Sequence, residues 1–269
     1  MNKNVRICSA CGTQYNVDEI QNEHCRICDD DRQYVPESGQ HWLTPGELRK
    51  DHAVQVKPVT DNLFSLAIVP SFAIGQRAFL VLSQNGNVLW DCIPLLDEAT
   101  EAFINSKGGL KAIAISHPHY YSNVEEWAAK FNCPVFIHKK DEEWAPEFDD
   151  VILWEGEEKT LWDGIKMINI GGHFPGSCIM QVPHLSDAGT ILCGDSLYIS
   201  RNKKHVSVMH SYPNNIPVAI SEIERIAENL VKYEFDKMYG AFSYQELLSD
   251  VSCVLYQSIQ RYKAAHEMV

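Results

Sequence analysis

The sequence lacks any apolar run long enough to cross a membrane, which takes about 18 or more consecutive apolar residues. We also expect no signal peptide, because residues 1–6 lead into cysteines and not into an apolar segment. No internal repeat and no segment of low complexity is present. We therefore expect a protein that has no membrane partner and is not secreted.

Positive charge is scarce. The 23 lysine and arginine residues stand against 36 aspartate and glutamate residues, which gives a formal net charge of −13 at pH 7. Such a surface repels the phosphates of DNA and RNA, so we expect no nucleic-acid partner. The hydrophobic fraction of 45% is ordinary for a globular protein, and 269 residues are enough for one large core with a small appendage.

Disulfide bonds are not indicated, because nine cysteines is an odd number and no signal peptide directs the chain out of the reducing cytosol. We therefore expect a cytoplasmic protein with thiols and metal ligands. Four of the cysteines form two Cys-x-x-Cys pairs, Cys8 with Cys11 and Cys25 with Cys28, and thirteen residues separate the pairs. Each pair presents two thiolates from one turn, so the spacing predicts a structural zinc ribbon. Free thiols are the alternative, and His24 is a substitute ligand.

The chain divides near residue 50. Residues 1–50 contain the predicted ribbon and a linker with a short helix from Pro45, and residues 51–269 form the main domain. Ser-x-x-Glu capping boxes predict that two helices begin at Ser122 and near Ser243. The hydrophobic pattern predicts strands over 63–69, 78–83, 88–92, 112–115, 134–138, 165–170, 178–182 and 190–193, and helices over 97–107, 122–131, 217–233 and 245–266.

Two histidines, His117 and His119, directly follow the buried strand predicted over 112–115. The carboxyl ends of strands are where open α/β layers bind ligands. The His-x-His spacing lets two imidazoles converge on one point, and neutral imidazole is the commonest metal-ligating side chain. We therefore predict a metal site here. The alternative is two histidines at the sheet rim without a metal.

His173 and Asp195 also follow predicted strands. His173 lies in a Gly-Gly-His-Phe-Pro-Gly-Ser segment and Asp195 in a Leu-Cys-Gly-Asp-Ser-Leu segment. Each segment alone is typical of an ordinary turn. Together with His117 and His119 they supply three imidazoles and a carboxylate at strand ends, which is a suitable ligand set for zinc, iron or manganese.

These segments resemble the ligand segments of the metallo-β-lactamase superfamily, whose members are metal-dependent hydrolases and some oxidoreductases. The resemblance covers roughly residues 55–245. It implies an α+β fold, the αββα sandwich of that superfamily, preceded here by the zinc ribbon. In family terms, His117, His119 and His173 resemble the ligands of the first metal, and Asp195 resembles the carboxylate that contacts both metals.

The chain departs from the family pattern at the second metal. The family's central motif is His-x-His-x-Asp-His, but this chain continues from His119 with Tyr-Tyr-Ser. Tyr121 stands in the place of the aspartate and Ser122 in the place of the histidine, and Ala241 replaces a later histidine. Because these residues would all hold the second metal, the resemblance implies a single active-site metal, zinc or iron.

Three functions are compatible with one metal. We favour a hydrolase that cleaves an ester, thioester, lactone or similar small-molecule substrate with a metal-activated water. The alternatives are a mononuclear iron oxidoreductase similar to the family's persulfide dioxygenases, and a non-catalytic scaffold that binds a protein partner through its ribbon. In the hydrolase, Asp195 is expected to be a ligand or base, and Tyr120 or Tyr121 a hydrogen-bond donor to the oxyanion or a residue packed into the vacated second site. His205 and His210 are candidates for lining the pocket.

Overall fold

The computed structural model describes residues 5–17, 20 and 24–267. Within these ranges, no helix combines the length and the apolar character that crossing a membrane requires.

The N-terminal ribbon is a three-stranded antiparallel sheet with the strand order β2-β1-β3. Its strands are β1 (Val5–Cys8), β2 (Gln14–Asn16) and β3 (Trp42–Leu43). Helix α1 (Pro45–Asp51) follows, and the capping box of Thr44 and Glu47 fixes its first turn. The short helix predicted from Pro45 is thus confirmed. A division of the chain near residue 50 remains a prediction.

The first sheet of the main domain has seven strands in the order β10-β9-β8-β7-β6-β5-β4. Neighbours from β4 to β7 are antiparallel and those from β7 to β10 are parallel. Helices α2 (Glu98–Ser106) and α3 (Val124–Phe131) make the crossovers from β7 to β8 and from β8 to β9. The strands are β4 (Ala53–Thr60), β5 (Leu63–Val69), β6 (Arg77–Val81), β7 (Val88–Trp90), β8 (Ala112–Ala114), β9 (Val135–His138) and β10 (Val151–Trp154).

The second sheet has six strands in the order β11-β12-β13-β14-β19-β20. Two small hairpins, β15-β16 and β17-β18, lie between β14 and β19 in the chain, before helix α4 (Ile220–Leu230). Helix α5 (Val251–Glu267) ends the described chain. The strands are β11 (Glu158–Thr160), β12 (Lys166–Asn169), β13 (Cys178–Val182), β14 (Thr190–Gly194), β15 (Tyr198–Ile199), β16 (Val206–Ser207), β17 (Met209–Ser211), β18 (Ile216–Pro217), β19 (Lys237–Gly240) and β20 (Glu246–Leu247).

Alternation along the strands builds the αββα sandwich. In β14, Leu192 packs against the first sheet, whereas Ile191 and Cys193 pack against α4 and α5. In β8, Ala114 faces the second sheet and Ile113 faces α2 and α3. Because both faces of each sheet are covered, the central strands are apolar on both sides. The predicted α+β sandwich is confirmed.

Both predicted capping boxes of the main domain are wrong. Ser122 has a positive φ of 49°, and α3 begins two residues later, at Val124. The Ser122 hydroxyl donates to the carbonyl of Cys92 at 3.3 Å, so a distant contact takes the place of the local cap. In the second case Glu246 lies in β20, and α5 begins only at Val251.

Strand β4 (Ala53–Thr60) was not predicted. It is an edge strand of the seven-stranded sheet and its residues are exposed or half-buried. Edge strands carry few apolar residues, so the hydrophobic pattern that identified Leu63–Val69 and Cys178–Val182 correctly is weak in β4.

Candidate active site

The four ribbon cysteines form one buried cluster. Their sulfur atoms all lie within 4.8 Å of one another. Cys8 and Cys28 have their sulfurs 3.6 Å apart, and those of Cys11 and Cys25 are 3.5 Å apart. A tetrahedral site with zinc–sulfur bonds of about 2.3 Å places its sulfurs about 3.8 Å apart. The cluster therefore fits a single zinc ion.

Two polar side chains support this cluster. Gln40 donates a hydrogen bond from Nε2 to the sulfur of Cys8 at 2.9 Å, and the Tyr15 hydroxyl lies 3.4 Å from the sulfur of Cys25. Such partners stabilise thiolates, which is the form that binds zinc. The His24 side chain is largely exposed and contacts Asp29, so it is not brought to the cluster.

The second cluster consists of His117, His119 and His173, whose ligating nitrogens also lie within 4.8 Å of one another. His117 follows β8, and His119 lies in the single turn of 3-10 helix over Pro118–Tyr120. His173 comes from the loop between β12 and β13. The two sheets thus each contribute histidines of this cluster from loops that follow strands.

Backbone carbonyls fix the orientation of His173. Its Nδ1 donates to the carbonyl oxygens of Met209 at 3.0 Å and His210 at 2.9 Å. Because Nδ1 carries the proton, the lone pair is on Nε2, which lies 3.2 Å from Nδ1 of His119. This is the arrangement of a metal-binding histidine that is oriented by a backbone carbonyl.

Two imidazole nitrogens of the cluster are buried without hydrogen-bond partners. Nδ1 of His117 lies 2.8 Å from the hydroxyl of Ser116, while Nε2 of His117 is buried and has no hydrogen-bond partner. His119 faces His173 through Nδ1, and its Nε2 is also buried and unpartnered. Buried polar atoms normally have a partner. The unpartnered Nε2 of His117, in a group whose ligating nitrogens lie within 4.8 Å of one another, fits a metal ion.

The electrostatics of the cluster favour the neutral imidazoles that a metal requires. Burial lowers the pKa of His117 and of His119 well below the ordinary value, and the neighbouring His173 lowers both further. Burial also lowers the pKa of His173, to about 4. All three rings are therefore neutral at pH 7 and their lone pairs are available.

Asp195 lies beside the histidines, directly after β14. Its Oδ2 accepts a hydrogen bond of 2.5 Å from the Tyr120 hydroxyl, whereas its Oδ1 is buried without a partner. Burial raises the pKa of Asp195 to about 6. Asp195 lines the same cleft as His119 and His173, but its carboxylate is not within the group of mutually close nitrogens. Its role as a ligand or base stays a prediction.

Tyr121 is not brought to the histidines. Its ring belongs to the core between the first sheet and α3, together with Val124 and Trp127. Its hydroxyl donates to the backbone carbonyl of Asp141 at 3.3 Å. The expectation that Tyr121 contacts the reacting groups is therefore corrected. The side chain of Tyr120 reaches Asp195, but that of Tyr121, the next residue, points into the core.

The loop histidines are not brought to the cluster through their rings. His205 is exposed. The ring of His210 is hydrogen-bonded to the carboxylate of Asp31 at 2.7 Å, and it is the backbone of His210 that contacts His173.

Arg32 is a site residue that the sequence analysis placed in a linker. Its Nε donates to the backbone carbonyl of His173 at 2.6 Å. Its guanidinium packs over the rings of Phe174 at 4.5 Å and Trp144 at 5.6 Å, and it also bonds the carboxylate of Asp30. The partners are 141 residues apart in the sequence, so no local pattern indicated the contact.

The cleft above the histidines has a volume of about 310 Å³. The ribbon and the segment after it contribute to its wall, as do the loops after β14, β17 and β19. Its lining residues are Ala10, Gln33, Tyr34, Ala73, Ile74, His119, His173, Asp195, Tyr198, Tyr212, Pro213, Phe242 and Tyr244.

Solved metallo-β-lactamases share this fold. The DIM-1 metallo-β-lactamase superposes with a TM-score of 0.59 at 18% identity, over 79% of this chain and 98% of that one. FIM-1 from Pseudomonas aeruginosa, in a structure described as the mono-zinc form, has a TM-score of 0.55 at 11% identity, over 78% and 96%. A B3 metallo-β-lactamase described as having an active-site glutamic acid has a TM-score of 0.54 at 14% identity, over 90% and 99%.

Sequence comparison identifies a nearer relative. No protein-family model matches the chain. The Bacillus subtilis (strain 168) protein described as "Uncharacterized protein YmaE" is 39% identical over 241 residues, which cover 88% of each chain. This chain therefore belongs to the family of YmaE, and its main domain has the metallo-β-lactamase fold.

Proposed function

We propose that this protein is a metal-dependent hydrolase that holds one metal ion with His117, His119 and His173. Its substrate is an ester, thioester, lactone or similar small molecule. The observation that carries the proposal is the convergence of three buried, neutral imidazoles, with ligating nitrogens within 4.8 Å of one another, at the base of a cleft. When bound, a zinc ion supplies a Lewis acid that polarises a carbonyl oxygen and lowers the pKa of water.

The residues around the histidines position the imidazole rings and accept a proton. The Ser116 hydroxyl and the carbonyls of Met209 and His210 hold two of the rings in position. Asp195 is suited to accept a proton from the attacking water, because burial raises its pKa to about 6, near neutrality. Its unpartnered Oδ1 is the accepting atom, since Tyr120 already donates to Oδ2. We assign Tyr120 as the residue that positions Asp195.

A single active-site metal is favoured by the residues at the second-metal positions. Tyr121 is packed in the core, the Ser122 hydroxyl bonds the Cys92 carbonyl, and Ala241 is apolar. Among the described residues, the four cysteines and the three histidines are the groups close enough together to hold a metal ion.

We further propose that the ribbon holds one structural zinc ion. A four-cysteine site is closed, so its zinc folds the segment and takes no part in the reaction. It also needs reduced thiols, which fits the cytoplasmic location predicted from the sequence.

The test combines metal analysis with an activity panel. Wild-type protein loaded with metal is expected to hold two metal ions per chain, one in the ribbon and one in the histidine site, and His173→Ala to hold one. The rate of hydrolysis of the ester or thioester that the wild type cleaves should fall by about 100-fold or more in this variant. Without the metal ion, water has its ordinary high pKa and is a poor nucleophile. His205→Ala, a change at an exposed histidine, is the matched control.

Activity that survives loss of the histidine-site metal would contradict the proposal. Iron in this site together with oxidation of a persulfide, and no hydrolysis, would replace the hydrolase with an oxidoreductase. A bound metal without turnover on the whole panel would favour the scaffold.

A further inference from the structure

The cleft above the histidines carries little charge. Apart from the histidines and Asp195, its lining residues have no ionised side chain at pH 7. Two guanidinium groups lie beside the lining residues. That of Arg32 is bonded to Asp30 and to the carbonyl of His173, and that of Arg201 packs over the ring of Tyr244 at 4.2 Å. Apart from the proposed metal ion, a phosphate or carboxylate on the substrate would therefore meet no cation among the lining side chains, and the net charge of −13 repels anions further.

Five of the thirteen lining residues are tyrosine or phenylalanine. Tyr198 and Tyr212 stack with their ring centroids 4.9 Å apart, and Phe242 and Tyr244 stack with an interplanar angle of 6°. The hydroxyls of Tyr198 and Tyr244 are hydrogen-bonded to each other. The Tyr212 hydroxyl donates to the backbone carbonyl of Asp195 at 2.8 Å. These contacts hold the rings in place before a ligand arrives, which lowers the entropy cost of binding.

Tyr34 completes the wall from the other side of the cleft. It lies between the cysteine cluster and β3, and about 53% of its surface is exposed, so the ring has room to cover a ligand. Its backbone neighbours are fastened to the opposite loop. Ser211 donates from Oγ to the carbonyl of Arg32 at 3.1 Å, and Asn214 donates from Nδ2 to the carbonyl of Gln33 at 3.0 Å. The backbone beside Tyr34 is thus held in place, while half of its side chain stays open to a ligand.

We propose that the cleft selects uncharged substrates that carry an aromatic group, and that Tyr34 determines this specificity. This proposal rests on the proposed hydrolase function for the bond that is cleaved. The binding of the aromatic group does not depend on it. The substrate ring packs against Tyr34 on one side and the tyrosine wall on the other, with its ester or thioester carbonyl at the histidines. A well-placed aromatic contact of this kind contributes about 5- to 10-fold in affinity.

The binding arm of the test uses the metal-loaded, full-length protein and two probes that are not esters. N-benzylacetamide is neutral and aromatic, and N-acetylglycine is a small anion of similar polarity at its amide. NMR titration should show tighter binding of N-benzylacetamide. Tyr34→Ala should weaken that binding about 5- to 10-fold and Tyr34→Phe should restore it. The control is Tyr256→Ala, at an exposed tyrosine of α5 outside the cleft.

The kinetic arm compares phenyl acetate with methyl acetate. For each substrate, the kcat/KM of the variant is divided by that of the wild type, so that the different reactivities of the two leaving groups cancel. Tyr34→Ala should lower kcat/KM about 5- to 10-fold for phenyl acetate and leave methyl acetate unchanged. Tighter binding of N-acetylglycine, or equal binding of N-benzylacetamide by wild type and Tyr34→Ala, would overturn the proposal.

The two arms separate this proposal from the proposed function. If the benzyl probe binds in a Tyr34-dependent way but no ester or thioester is cleaved, the aromatic cleft stands and the hydrolase is overturned. If both acetates are cleaved and Tyr34→Ala affects them equally, the hydrolase stands and the specificity is overturned.

Discussion

At the scale of single residues, the candidate site is defined by which atoms have partners and which do not. His117 has its Nδ1 beside the Ser116 hydroxyl and its Nε2 unpartnered, and His173 has its Nδ1 bonded to backbone carbonyls while its Nε2 faces Nδ1 of His119. Asp195 repeats this arrangement, with one oxygen bonded to Tyr120 and the other unpartnered. The ligand histidines could be predicted because they follow strands and match a known pattern. The groups that orient the rings could not be predicted. Every residue has a backbone carbonyl, so the sequence does not show that those of Met209 and His210 bond to His173.

The assignment of Tyr120 can be tested by Tyr120→Phe. The change removes the hydrogen bond to Oδ2 of Asp195 and leaves a buried carboxylate without a donor, at a cost of about 1.5–3 kcal/mol. We expect kcat for ester hydrolysis to fall by about 10- to 100-fold. Metal content should stay at the wild-type value, since the three histidines are unchanged. Steady-state kinetics and elemental analysis of the same preparation measure both.

Tyr121→Phe is the matched control for this prediction. It removes a 3.3 Å hydrogen bond to the carbonyl of Asp141 in the core, so unfolding should become easier by about 1 kcal/mol while kcat is unchanged. A loss of activity in Tyr121→Phe and not in Tyr120→Phe would reverse our assignment of the two tyrosines.

At the scale of elements, the strands and helices that could be predicted are those with apolar residues on a regular period. Strands Leu63–Val69 and Cys178–Val182 have the predicted bounds because both lie inside the sandwich. Strand Ala53–Thr60 lies at an edge and was missed. The capping-box pattern at Ser122 failed because Gln76 and Cys92 bond its hydroxyl instead. A local pattern predicts an element boundary only where no distant group competes for the same atoms.

The ribbon as an element can be tested by Cys25→Ser. Structural zinc supplies the folding energy of small units of this kind, so the variant should lose one zinc ion per chain and the ordered structure of the ribbon. The sandwich has its own core and should keep its melting transition. The cleft, however, should lose the wall formed by Gln33 and Tyr34, and with it the affinity for N-benzylacetamide. Elemental analysis, calorimetry and the NMR titration give the three readouts.

Cys253→Ser is the control, because Cys253 is exposed and lies outside the cysteine cluster. An unchanged zinc content in Cys25→Ser would refute the ribbon site. Loss of zinc with unchanged probe binding would show that the cleft wall holds without the ribbon metal.

At the scale of the whole molecule, the ribbon and the sandwich are joined closely. A side chain on Gly12 would come within 2.3 Å of Pro94, so the ribbon turn lies directly on the main domain. The backbone N–H of Gln14 donates to the backbone carbonyl of Ser122 at 2.9 Å. The composition and the cysteine spacing predicted an appendage and a large domain. They did not predict these contacts, because the contacts depend on the relative placement of two units and not on any pattern within either.

Arg32 provides the most direct link between these parts of the molecule. It packs over the rings of Phe174 and Trp144 and donates to the carbonyl of His173, so it fixes the backbone from which one proposed metal ligand projects. We expect Arg32→Ala to weaken metal binding at the histidine site by about 10- to 100-fold, the usual effect of removing a group that supports a ligand. The ribbon zinc should be retained, because Arg32 makes no contact with the cysteines among its described hydrogen bonds.

Arg32→Lys separates geometry from charge. Lysine keeps the positive charge but lacks the planar guanidinium that donates from Nε while stacking on Phe174, so it should not restore metal affinity. Titration with a chelator of graded concentration measures the release of each metal ion, and elemental analysis counts what remains. If Arg32→Lys has the metal affinity of the wild type, Arg32 acts through its positive charge and not through the geometry of its guanidinium. Wild-type affinity in both variants would show that the other hydrogen bonds of the His173 loop, including those of its ring to Met209 and His210, hold the loop without Arg32.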